Sequence, residues 1–153
     1  MTMYVFAVLI GVIAGLRALT APAAVSLAAH AGRLKVAGTW MAFLGGAYTP
    51  WIFTALALGE LITDQLPKTP SRKVPVQFGT RLLTGGLSGA ALCAAGSWQA
   101  GAAAGVLGAV IGTMGGAAAR SRLAAKLGKD LPAALIEDAV AIGGAALIVL
   151  FAT

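Results

Sequence analysis

The sequence predicts an all-α integral membrane protein, a single transmembrane domain over residues 1–153 with five to six transmembrane helices. Three observations carry this. Of the 153 residues, 59% are hydrophobic and only 10% charged, whereas a soluble domain carries about a quarter charged. Mean hydropathy is +0.89, and the length suits five or six spans of roughly 20 residues each. Twenty-one glycines and many alanines predict helices that approach closely through small residues.

A formal charge of +6 and a pI near 10.1 raise nucleic acid as a partner. The basic residues are scattered through short loops without a DNA-binding motif, and positive-inside bias explains them better. The expected partners are the bilayer and a second copy in a homodimer, not nucleic acid. The lone Cys93 and lone His30 provide neither a disulfide framework nor a Cys- or His-based metal site. No cofactor is implied.

Met3 to about His30 is apolar but interrupted by Arg17 and Pro22, which predicts a broken first helix with its break near Thr20-Ala21-Pro22. Ala21-Pro22-Ala23 looks superficially like a signal-peptidase site. The segment before it lacks a basic residue, so a retained helix is expected. The loop 31–38 carries Arg33 and Lys35. Residues 39–49 are apolar but short for a span, either a half-helix dipping into the membrane or part of the next helix.

Pro50 to Leu66 reads as a helix, with Pro67 just past its end. Glu60 and Asp64 lie on it four residues apart, hence on one face. The loop 67–75 holds Lys68, Ser71, Arg72 and Lys73. Val76 to Ala95 is the next span, with Arg81 in its first turns, and Gln99 to Ala119 the one after. Gly108, Gly112 and Gly116 line one face of that helix, a groove for another helix or another subunit. Arg120, Arg122, Lys126 and Lys129 form a basic connector. Asp130 is placed to cap the last helix, Pro132 fits its first turn, and the helix runs to about Phe151. Loops 31–38, 67–75 and 120–129 should all face the cytoplasm, with Trp98, Trp51, Tyr48 and Tyr4 at one interface and Trp40 at the other.

Three echoes suggest two inverted three-helix repeats, 3–66 and 76–151. Gly15-Leu16-Arg17-Ala18-Leu19-Thr20 matches Gly79-Thr80-Arg81-Leu82-Leu83-Thr84. Gly38-Thr39-Trp40 matches Gly96-Ser97-Trp98, and Ala57-Leu58-Gly59-Glu60 matches Ala134-Leu135-Ile136-Glu137.

Charges at membrane depth are costly and read as functional by default. Glu60, Asp64, Glu137, Asp138, Arg17 and Arg81 are therefore the candidate substrate- or ion-binding residues. The competing reading is a set of structural ion pairs, Glu60 with Arg17 or Arg81. Glu137 and Asp138 point about 100° apart on a helix, so one is expected at the site and one at a helix contact. Thr20, Pro22 and Thr84 would support helix breaks. Lys68, Ser71 and Arg72 would touch headgroups or phosphate.

Gly15-Leu16-Arg17, Pro22, Gly38-Thr39-Trp40, Glu60, Asp64, the run Pro67-Lys68-Thr69-Pro70-Ser71-Arg72 and Glu137-Asp138 together resemble a bacterial family, the small membrane proteins filed as domain of unknown function 4126. The resemblance covers nearly the whole chain. It implies a multi-pass protein of the bacterial inner (cytoplasmic) membrane and no particular activity. More loosely, the acidic motifs look like those of small cation–proton exchangers with Glu-x-Gly-Asp, although the spacings here are Glu-x-x-x-Asp and Glu-Asp.

The first functional expectation is a small transporter or carrier for an ion or small polar solute, with no catalytic residues. A membrane enzyme acting on a lipid or isoprenoid phosphate is the alternative, with carboxylates holding Mg²⁺. A structural subunit docking through the glycine face is the third.

Overall fold

The computed structural model describes residues 1–65 and 74–153, so Lys68, Ser71 and Arg72 lie outside the described residues. The described residues form seven helices and no strand. The α-helices are α1 (Thr2–Leu16), α2 (Thr20–His30), α3 (Thr49–Thr63), α4 (Pro75–Leu92), α5 (Trp98–Leu127) and α6 (Asp130–Ala152), with a 3₁₀ helix at Trp40–Gly45. Two of them, α5 and α6, are long and apolar enough to cross a membrane. Large apolar side chains cover the outside: Ile62, Leu83, Leu107, Leu147 and Phe151 are each more than half exposed. Inside, a largely apolar core also encloses charge. The two largest fully buried side chains described are Arg17 and Arg81.

The break in the first apolar stretch falls at Arg17–Leu19, earlier than expected, and proline explains the offset. A proline ring excludes the carbonyl four residues before it. Pro22 therefore displaces Ala18 from the helix, and the proline itself settles in the first turn of α2, where its missing N–H costs nothing. Arg17 is extended (φ −139°, ψ 112°).

The chain reverses at this break. Gly15 of α1 packs on Ala109, Gly112 and Thr113, while Gly11 packs on Gly105, so α1 runs parallel to α5. The far end of α2 returns to the start of α5: His30 Nδ1 lies 3.2 Å from the Gly45 carbonyl, and Trp40 meets Trp98 edge-on at 5.5 Å. Helices α1 and α2 thus form a hairpin with Arg17 at its tip. The remaining helices alternate in direction after it.

Several expectations are corrected by this arrangement. Trp40 and Trp98 share one end of the molecule, so they do not mark opposite interfaces. The loop with Arg33 and Lys35 sits at that end too, opposite the basic residues at 120–129. Residues 40–45 form a single 3₁₀ segment, about 12 Å at 2.0 Å per residue, too short to cross. The basic connector is helix: α5 continues through Arg120 and Lys126 because its alanines, leucine and long basic side chains are strong helix formers, ending at Gly128 (φ 70°).

The glycine stripe of α5 is filled from within the chain. Gly108 and Gly112 abut the α1 backbone at Val8 and Val12, and Gly105 abuts Gly85 of α4. Of the two occupants expected for that face, another helix or another subunit, helices of the same chain fill it. The echoes also land on unlike places. The stretch 15–20 is broken, whereas α4 runs unbroken through 79–84, and Trp40 follows α2 while Trp98 opens α5.

Candidate functional site

Every acidic residue of the chain engages one of three arginines, and all of them gather at the tip of the α1–α2 hairpin. Arg17 is completely buried and forms ion pairs with Asp64 at the end of α3 and with Asp138 on α6. Its guanidinium also lies 4.0 Å from Glu137 Oε2. Gln65 Nε2 approaches the second oxygen of Asp138 at 3.4 Å.

Glu60 does something the sequence did not suggest. Its two carboxylate oxygens accept from the backbone amides of Ala18 (2.7 Å) and Leu19 (2.8 Å). These are orphan donors at the start of α2, and a carboxylate also suits the positive end of a helix. Arg81 does the converse job. Its Nη1 donates to the carbonyls of Gly15 and Leu16, both at 2.8 Å, and so closes the C-terminal end of α1. The Thr113 hydroxyl adds a 3.3 Å bond to the Gly15 carbonyl. Arg81 and Glu60 are themselves 3.7 Å apart. One ion pair therefore holds both sides of the break.

Arg120 closes the cluster. It grips Asp130 with two nitrogens at 3.0 and 2.7 Å, reaches Glu137 at 3.5 Å, and donates to the Asp64 backbone carbonyl at 3.4 Å. Arg120 links the ends of α3, α5 and α6.

The predicted site residues Arg17, Arg81, Glu60, Asp64, Glu137 and Asp138 are thus brought together. Glu137 and Asp138 both reach Arg17, against the expected division of roles, because the guanidinium sits between their two directions. The three residues assigned to helix breaks fare differently. Pro22 sets the break, but the buried Thr20 hydroxyl has no hydrogen-bond partner among the described residues. Thr84 bonds back to Thr80 at 3.0 Å, because α4 runs unbroken there and offers no break to support. Asp130 pairs with Arg120, and Lys129, not Asp130, occupies the N-cap of α6.

Two contributors were missed. Arg120 follows Gly108, Gly112 and Gly116 at the same four-residue interval, which places it on the packed face of α5. That signal was present in the sequence. Thr113 beside Gly112 carries no comparable mark. Among the described residues no group of three or more His, Cys, Asp or Glu is arranged to hold a metal ion. The carboxylates turn to guanidinium groups and amides instead.

Arg81→Lys tests the double cap. Lysine keeps the charge but loses the planar fork that reaches two carbonyls and a carboxylate together. Thermal unfolding should report a loss of about 1–3 kcal/mol, the cost of leaving a buried polar partner unsatisfied.

Compared with known proteins, the chain matches no family model, no curated protein and no solved structure.

Proposed function

We propose that this chain is a multi-pass membrane carrier for an ion or small polar solute, with the arginine–carboxylate cluster at the hairpin tip as its working site. One observation carries the reading. The break between α1 and α2 lies inside an otherwise apolar bundle, and its freed backbone groups are held by Glu60 and Arg81, members of that cluster. Broken helices whose ends point at a polar site within the membrane are the hallmark of secondary transporters. Arginine stays charged in proteins, so any change of charge in the cluster falls on its carboxylates. Protonation or cation binding there would loosen the grip on the α2 start and free the hairpin to move.

The exposed Arg122, Lys126 and Lys129 lie at the cluster end of the bundle. By positive-inside bias that end faces the cytoplasm of the bacterial cell.

Flux across proteoliposomes provides the test. Glu60→Gln keeps an acceptor oxygen for one amide but cannot ionise, and should abolish pH-dependent flux while the protein stays folded. Lys126→Gln, exposed and outside the cluster, should leave flux close to the parent. Full flux through a folded Glu60→Gln protein would overturn the carboxylate mechanism.

A further inference from the structure

From Thr20 and Leu61 beside the cluster to Arg33 at the opposite end, α2, α3 and α6 leave between them a groove of about 520 Å³, within the range of small-molecule sites. Ala24, Leu27 and Ala28 of α2, Leu58 of α3 and Ala146 of α6 line it, and the alanines hold it open. The Thr54 hydroxyl in its wall donates to the Pro50 carbonyl at 2.7 Å and the Thr20 hydroxyl at its inner end is buried, so the lining presents a mostly apolar surface. From Thr20 to His30, α2 rises about 16 Å along it. Arg33 stands at the far mouth, beside the end marked by Trp40 and Trp98.

The charge at that mouth is one-sided. All of the chain's carboxylate side chains are engaged at the cluster, at the opposite end of α1 and α2. Arg33 and the exposed Lys35 therefore have no acidic side chain to pair with at their own end. An apolar slot running inward from a cation at the level of the aromatic residues complements an amphiphile with a negative head.

We propose that this groove holds one acyl chain of an anionic membrane lipid, its headgroup on Arg33. The proposal rests on the membrane placement but not on transport. Native mass spectrometry of the full chain, released from detergent with phosphatidylglycerol or phosphatidylcholine, tests it. One phosphatidylglycerol should be retained in preference to phosphatidylcholine. Arg33→Gln should weaken retention about fivefold, the scale of one basic residue at an anionic surface. Ala146→Phe and Leu58→Trp fill the groove from exposed positions that the fold does not depend on, and should abolish retention of both lipids. Unchanged phosphatidylglycerol binding in all three variants would mark annular lipid only and overturn the proposal. A dimer that dissociates in Ala146→Phe would overturn it too, by making a second copy the occupant. Proteoliposome flux, measured on the same variants, keeps this outcome separate from the fate of the carrier mechanism.

Discussion

Arg17→Met is expected to destabilise the fold by about 3–5 kcal/mol, the usual cost of removing one partner from a buried ion pair. Arg17 is one of the two largest fully buried side chains described, and Asp64 and Asp138 both depend on it. Without it those carboxylates remain in a low-dielectric pocket with their principal cation gone. The measurement is thermal unfolding of purified protein in detergent, followed by the loss of the monodisperse peak. A second variant separates charge from packing. Arg17→Met combined with Asp64→Asn and Asp138→Asn removes the uncompensated charges and should regain most of the lost stability, because neutral replacements for buried ion pairs are often tolerated. Equal instability of the single and triple variants would show that shape, not charge, governs the hairpin tip.

The second large effect is expected at Gly105. A Cβ there would collide with the backbone carbonyl of Gly85, and the Cβ of an alanine at Gly11 would collide with Gly105 itself. Three helices, α1, α4 and α5, therefore meet where only hydrogen atoms fit. Gly105→Ala should cost about 1–3 kcal/mol as the helices separate, and Gly105→Leu should prevent folding. Gly115 is the control on the same helix: an added Cβ meets nothing within 4 Å. Gly115→Ala should be neutral or stabilising by up to about 1 kcal/mol, since alanine favours helix over glycine. Equal tolerance at the two positions, read from unfolding midpoints, would contradict the close packing of α5.

Composition and periodicity were enough for the helical class, because apolar runs punctuated by proline and glycine leave few alternatives. Helix α3 begins at Thr49 against an expected Pro50, and α6 ends at Ala152 against Phe151. The convergence of Asp64, Glu137 and Asp138 on Arg17, with Glu60 beside them on Arg81, followed from the cost of burying charge. The hairpin did not. Whether a chain passes through a break or doubles back at it depends on what lies beneath, and Glu60 and Arg81 reach the break from helices far away in sequence. Arg120 was hidden for a related reason. A cluster of cations after an apolar run reads as a loop, yet alanine-rich basic sequence is equally good helix, and only Asp130 and Glu137 opposite make its interior placement favourable.

The long span in sequence between Arg17 and Asp138 has a consequence for biosynthesis. The guanidinium emerges from the ribosome about 120 residues before its last partner, several seconds earlier at about 5–20 residues per second. Until α6 is made, Asp64 alone is there to pair with the guanidinium, and the pocket that Asp138 completes stays open. Completion of α6 is then the event that closes the bundle, so chains stalled or truncated before it would present an arginine matched by Asp64 alone to whatever machinery inspects new proteins.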